Sequence, residues 1–380
     1  MPRDIGDRVP LLALAFLAFV GLGLPDPLPG TLWPELRPHY AQPHGALGLV
    51  LAAMATGYLT ASILAGRAMQ ALGIGALLAA SIAATAAAAL GQAFAPPWLA
   101  FVALAMLAGF GSGAVDAALN TFAALRFAPR HLNWLHACWG LGATLGPGLA
   151  TALLAIGAGW QAGYAAVGVV LAVLAVAFAA TRARWQDGAG ADAPPLPALS
   201  ALRQPMVRRL IVVFFLLAGV EASAGQWAAT VLVESRGATP AIAAGASTLF
   251  WAALALGRVA MGVVVDRIGA DRLVRIAAPV AAVAALGFAL APRGLDLVAL
   301  AVLAVALSPL FPTLVARTPA RLGAATAMHA VGFQVAAATV GVAVLPGVIG
   351  LAVQAFGAGV APLLVAALTA VLAVQVRRLA

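Results

Sequence analysis

Three carboxyl groups in this chain, Asp26, Asp116 and Glu221, lie inside long apolar runs. Asp, Lys or Arg at the centre of a membrane helix costs about 2.5–3.5 kcal/mol on insertion scales, so such groups face a partner or a water-filled cavity. A carboxyl in a dry site can take up and release a proton near neutral pH. The alternative for each is a structural hydrogen bond between helices. Asp116 closes the segment Gly109-Phe110-Gly111-Ser112-Gly113-Ala114-Val115-Asp116, and Asn120 follows one helical turn later, so a carboxyl and an amide share a helix face. Gly109 and Gly113 share a face too and would let a second helix approach closely. Asp26 stands among Pro25, Pro27 and Pro29, which break a helix and free backbone groups. It lies either against a cavity or at the external mouth, starting a loop before Trp33.

Further polar groups could meet a solute. In the segment from His131 to Gly148, Asn133 is a helix cap, and His136, Trp139, Gly140 and Ala143 follow at helical spacing. After Glu221 come Gln226, with amide donors and acceptors, and Trp227, with a flat apolar face. That pair suits a sugar, whose hydroxyls need hydrogen bonds and whose C–H face stacks on aromatics. Gln334 and Trp251 are further cavity candidates, with packing as the alternative.

Several chemistries are excluded by what is missing. His136 and His329 have no further ligand at metal spacing, so no metal site is expected, and Cys138 has no second cysteine to pair with. No Gly-x4-Gly-Lys-Ser/Thr motif and no Lys occurs, so no nucleotide or other cofactor is expected. No Ser/His/Asp triad is readable, and no soluble stretch is long enough for an enzyme domain.

The elements that must position these groups are membrane helices. A chain of 380 residues that is 64% hydrophobic and 9% charged cannot wet the surface of a soluble globule. The apolar residues fall into twelve runs of about 20, the length that crosses a hydrocarbon core. These are roughly 10–33, 44–66, 73–94, 98–127, 134–157, 162–181, 207–235, 240–265, 273–291, 295–316, 323–350 and 356–376. The expected fold is therefore an all-α membrane protein.

All 21 cationic side chains are Arg, and alternate loops divide them very unequally: only Arg37, Arg236 and Arg293 fall on the poorer side. The positive-inside rule then puts both termini and the central loop in the cytoplasm. A multi-pass protein of a bacterial inner membrane is expected. The net charge of +9 is accounted for by anchoring beside anionic headgroups, so no nucleic-acid partner is implied.

The least apolar stretch, 182–206, divides the chain into a first bundle of six runs (1–181) and a second (207–380). Two weak repeats relate the halves: Gly66 to Gly73 with Gly262 to Gly269, and Leu135-His136-Ala137 with Met328-His329-Ala330. Arg258, Asp266 and Arg267 lie at or near the second of the Gly-bounded loops, with Asp266 about two turns beyond Arg258 on one face. These charges either switch partners as a gate or are simply solvated.

Six plus six runs, a central linker and Gly262-x3-Asp266-Arg267-x-Gly269 resemble the major facilitator superfamily. The first-half copy departs from the pattern, with Gln70 and Ala71 where Asp and Arg are usual. Over 109–148, the acid-x3-Asn of Asp116 and Asn120, Leu132-Asn133-x-x-His136 and Gly140-x-Gly142-Ala143-x-x-Gly146-Pro147 resemble the fucose:proton symporter family, which includes glucose and mannose symporters. Asp116 stands where that family carries Glu. Asp26 and the Glu221 to Trp227 segment match its first and seventh spans more faintly.

The resemblance implies twelve transmembrane helices in two six-helix bundles, the major facilitator fold. It implies a monomeric, proton-coupled carrier of a small neutral polar solute such as a sugar. Asp116, Asp26 or Glu221 would carry the proton. Asn120, His136, Trp139, Gln226, Trp227 and Gln334 would bind solute, and Arg258, Asp266 and Arg267 would gate. The alternative is a proton-driven exporter of drugs or amphipathic metabolites, favoured by a cavity lining rich in Ala, Leu and Val. A lipid or glycolipid flippase, or a receptor that does not transport, is a third class.

Overall fold

A computed structural model of the chain describes residues 5–126, 129–185, 202–292, 294–322 and 324–379. Among these there are helices and turns but no strand, and eleven helices are long and apolar enough to cross a membrane. A further apolar helix of 26 residues, Pro205–Thr230, raises the spans to twelve. The chain forms two compact units: residues 1–32 with 52–192, and residues 33–51 with 193–380.

In the first unit, α1 (Ile5–Gly23) ends where Pro25 and Pro27 interrupt it, and a one-turn α2 (Leu28–Thr31) follows. The Pro27 carbonyl accepts both the Thr31 N–H at 3.0 Å and the Thr31 hydroxyl at 2.9 Å. After α3 (Trp33–His39), which belongs to the second unit, come α4 (Ala46–Leu72), α5 (Ile74–Ala93), α6 (Trp98–Arg126), α7 (Pro129–Ala155) and α8 (Gly159–Thr181). The Ala-rich α5 packs between α6 and α8, and α1 packs on α7. Small residues carry these crossings, since lipid tails give helices no hydrophobic reason to associate and close van der Waals approach must do so. A methyl group on Gly142 of α7 would collide with the Val20 carbonyl of α1, and one on Gly109 or Gly113 of α6 with the Met54 or Tyr58 carbonyl of α4.

The stretch expected as linker begins in packed structure. Arg182–Trp185 form a 3-10 turn, and Trp185 is fully buried against Phe122 and Phe178 at ring-centroid distances of 4.9 and 5.0 Å.

The second unit contains α9 (Pro205–Thr230), continued by a π turn (Val231–Ser235), then α10 (Pro240–Ile268) and α11 (Ala270–Leu290). The run 295–316 is two helices, α12 (Leu295–Leu307) and α13 (Leu310–Leu322), because Pro309 lacks the N–H that would continue the ladder. The last two are α14 (Ala324–Phe356) and α15 (Val360–Arg377). Here α9 packs on α14, and α11 on α12 and α15. The outer faces of α8 and α10 expose Val169, Val173, Val176, Leu256, Val259 and Val263, the surface a lipid tail requires.

The Gly-bounded repeat has a structural counterpart. Gly73 between α4 and α5 has φ 77° and ψ 156°, and Gly269 between α10 and α11 has φ 83° and ψ 147°. This left-handed backbone favours glycine, so the two loops share both a residue spacing and the turn it builds.

Candidate functional site

Five polar side chains from distant parts of the sequence form two hydrogen-bonded groups within the first unit. The Asn120 amide donates from Nδ2 to Asp116 Oδ1 at 3.0 Å and to the Asp116 carbonyl at 3.0 Å. The Tyr58 hydroxyl of α4 donates to Asp116 Oδ2 at 2.7 Å. The Trp139 indole N–H of α7 donates to Asp26 Oδ2 at 3.0 Å. All five are partly exposed, so the carboxylates are held by donors without being sealed in.

The elements explain the arrangement. Gly109, Gly113, Asp116 and Asn120 follow at spacings of 4, 3 and 4 and so form one stripe of α6. The glycines bring the α4 backbone into contact, and Tyr58 is then one turn along from the contact made by Met54. Gly23 of α1 and Gly142 of α7 meet in the same way, which sets Asp26, just past the end of α1, against Trp139. His136 is on α7, but its side chain, like that of His329, lies outside the described residues.

The remaining sequence candidates fall in the second unit. Glu221 of α9 accepts from Arg258 Nη2 of α10 at 3.1 Å, with the side chains 12% and 21% exposed. Helical spacing alone sets Arg258 beside Asp266; in the fold Glu221 has that guanidinium, because α9 packs across α10 at this level. Trp227 is 1% exposed and donates Nε1–H to the Pro346 carbonyl at 3.0 Å. Its ring is therefore packed inside the unit rather than presented to a solute. Gln334 is fully buried and donates to the Thr318 hydroxyl at 2.9 Å, tying α14 to α13. Gln226 is 4% exposed, and Trp251 is buried edge-on to Phe250.

Asp266 and Arg267 are exposed at the end of α10, and neither joins an ion pair among the described residues. The ionic contacts of this loop centre instead on Asp271 at the start of α11. It receives Arg317 Nη2 at 2.7 Å, Arg317 Nε at 3.2 Å and Arg321 Nη2 at 3.2 Å, which fastens the end of α13 to α11. A second cluster absent from the sequence reading joins Arg37 and His44 to Glu234, at 3.0 and 2.7 Å. A third joins Arg236 to Asp296 and to the Phe288 carbonyl. No group of three or more metal-ligating side chains occurs among the described residues.

The Glu221–Arg258 pair makes a stability prediction. Removing one partner of a buried ion pair costs about 3–5 kcal/mol, chiefly because the other charge is stranded, and partial exposure puts this pair at the low end. Glu221→Gln should therefore melt several degrees below the parent in detergent, and the double variant with Arg258→Gln should recover most of the loss. A double variant no more stable than either single one would contradict the pairing.

Comparison with known proteins places the fold. The family model of the Major Facilitator Superfamily matches residues 11–338. No curated protein matches by sequence. Among solved structures, the E. coli fucose:proton symporter FucP is 19% identical over 97% of this chain and 98% of its own, with a TM-score of 0.66. The nucleoside transporter NupG is 15% identical over 99% of both chains, with a TM-score of 0.74. A bacterial homolog of the human lysosomal transporter Spinster is 14% identical over 99% of this chain and 94% of its own, with a TM-score of 0.72. At these identities the likeness is one of fold. Twelve apolar spans, paired glycine loops and a family match over most of the length lead to one assignment: the chain belongs to the Major Facilitator Superfamily and is a membrane transporter, not an enzyme.

Proposed function

We propose that the chain is a proton-coupled carrier that takes up a small neutral polar solute, a sugar being the leading class. The observation that carries this reading is the cluster in the first unit. Two carboxyl groups, Asp116 and Asp26, accept hydrogen bonds from Tyr58, Asn120 and Trp139 on otherwise apolar helices. Carboxyl groups placed in apolar spans and held by hydrogen bonds suit a site that takes up and releases a proton. Glu221 bonds a guanidinium that never deprotonates, so it serves better as a fixed charge than as a proton carrier. Trp139, half-buried beside Asp26, offers an aromatic face, and Asn120 and Asp116 offer the hydrogen bonds that hydroxyl groups need. The Arg distribution supports cytoplasmic termini and a cytoplasmic central stretch in a bacterial inner membrane.

Labelled hexose uptake into proteoliposomes under an imposed inward proton gradient tests the reading, beside a dye-efflux assay on the same vesicles. Gradient-driven dye export without hexose uptake would replace it with the exporter.

Asp266, exposed at the end of α10, is proposed to act in conformational switching and not in the solute site. Asp266→Asn should slow transport while leaving solute affinity unchanged. An equal loss of affinity would place Asp266 in the site.

A further inference from the structure

Residues 33–51 fold as part of the second unit, although the chain on either side of them belongs to the first. Three sets of contacts hold this strap in place. Trp33 and Leu36 of α3 are buried, and α3 packs on α9. The start of α4 lies on α14 through glycines: a methyl group on Gly48 would collide with Gly347 Cα, and one on Gly350 would press on Gly45 Cα. Glycine at all four positions lets the two backbones touch. The third set is ionic. Glu234, in the π turn that ends α9, accepts from Arg37 Nη2 on Oε1 at 3.0 Å and meets His44 Nε2 with Oε2 at 2.7 Å.

Two features make the strap releasable. Ala41, just past α3, has φ 48°, a left-handed conformation that a residue with a Cβ keeps only when its surroundings impose it. The Ala41 N–H donates to the Pro38 carbonyl and the Gln42 N–H to the Arg37 carbonyl, a helix ending that ordinarily takes glycine. The two cations on Glu234 also differ in kind. A guanidinium stays charged, whereas an imidazole ordinarily gains its charge at about pH 6.5, well above the pH of about 4.3 at which a glutamate is neutralised. The side chains of Arg37, His44 and Glu234 keep 17–30% of their surface exposed, so protons of the medium reach them.

We propose that His44 and Glu234 form a pH-sensitive latch on this strap. Below neutral pH the imidazolium adds a second charge-assisted bond to the one from Arg37. As the pH rises that charge is lost, and Arg37 is left as the cation on Glu234. A neutral ring can keep the hydrogen bond but not the attraction, so docking tightens as the pH falls through the imidazole range and slackens as it rises. Because the strap runs directly into α4, the pH of the medium sets how firmly the N-terminal end of that helix is held. The latch works whatever solute the chain carries and whichever carboxyl takes the coupled proton.

The other charged and titratable groups of the elements packed here are Glu35 and His39 of α3, Tyr40 beyond it, and Arg236 after the π turn. His39 meets Tyr40 edge-on at 4.7 Å, and burial pushes the Tyr40 phenol up to about 12, so it stays neutral throughout. Arg236 is turned to Asp296 and the Phe288 carbonyl. From α9, Trp227 lies 6.5 Å from the His44 ring, and α14 brings Leu351 and Gln354 beside its glycines; none of these titrates.

Hydrogen exchange of the full chain in lipid nanodiscs tests the latch. Peptides covering residues 40–51 are read by mass spectrometry at about pH 7.5 and about pH 5.5, either side of the imidazole range, with labelling times scaled to the intrinsic exchange rate. In the parent, opening of the Leu47 and Gly48 N–H bonds to the His44 and Gly45 carbonyls should be about threefold rarer at the lower pH, the size a partly exposed ion pair supports. His44→Gln should abolish that difference, and His39→Gln should leave it intact. Arg37→Gln should raise exchange at both pH values and keep the difference, with peptides of α5 unchanged as the sign of an intact fold. Scaled exchange that is equal at both pH values in the parent would overturn the latch. So would a response that survives His44→Gln or disappears in His39→Gln.

Discussion

Replacing Asp116 with Asn is expected to abolish solute accumulation driven by a pH gradient while sparing exchange of solute across the membrane. Asn has the shape of Asp116, and its oxygen can accept from Asn120 while its NH2 donates to the Tyr58 hydroxyl, the pattern a protonated Asp116 would make. The variant is thus fixed in a likeness of the proton-loaded state. A carrier that cannot release its proton cannot draw energy from the gradient, yet it can still cycle between its two faces with solute bound. Uptake into vesicles with an imposed gradient should fall to passive equilibration, and counterflow of labelled against unlabelled solute should persist. Full accumulation by Asp116→Asn at parental rate would remove Asp116 from the coupling path and make Asp26 the first candidate.

The second large effect is structural. Gly142→Leu should prevent assembly of the first unit. A methyl group on Gly142 already collides with the Val20 carbonyl, and Gly23 and Gly146 are equally tight against Trp139 and Leu24 across the same α1–α7 crossing. The atom struck is backbone and cannot rotate aside. Overpacking a well-packed site costs about 1–3 kcal/mol, and a branched side chain forced between two backbones exceeds the upper figure. The displaced α1 would also pull Asp26 from the Trp139 N–H. We expect aggregation on size-exclusion chromatography in mild detergent, with Gly262→Leu, whose added Cβ meets open space, as the tolerated control. A monodisperse Gly142→Leu with parental melting temperature would refute the crossing.

Much of this architecture is legible in the sequence because a bilayer imposes one rule, long apolar helices, which composition reports directly. The break at Pro25 and Pro27 is readable, since three prolines within five residues leave a helix no alternative. The break at Pro309 is hidden, because a single proline is tolerated inside other spans, as Pro147 and Pro346 are inside α7 and α14. Within the site, Asp116 and Asn120 are legible as a pair because both lie on one helix. Tyr58 is not, because its partner is 58 residues away and spacing along α4 says nothing of which helix it faces. The same gap explains Arg258. Helical periodicity points it towards Asp266, while the α9–α10 crossing that gives it Glu221 is a tertiary fact. Trp227 shows the converse limit: an aromatic beside an amide suits a sugar by type, but only packing shows its indole N–H bound to Pro346. Only a phenol inside an apolar span, one of two such Tyr in a chain with three, could have flagged Tyr58 in advance.

If solute and proton enter together, solute influx alone should carry protons into a vesicle. Purified protein is reconstituted into unbuffered proteoliposomes holding a pH-sensitive dye, and hexoses are added outside one at a time with no imposed gradient. For at least one hexose the lumen should acidify as solute enters. A protonophore should abolish the pH change without stopping solute entry, and Asp116→Asn should admit solute without acidification. Hexose entry with no accompanying lumenal acidification in the parent protein would show that the solute moves without a proton.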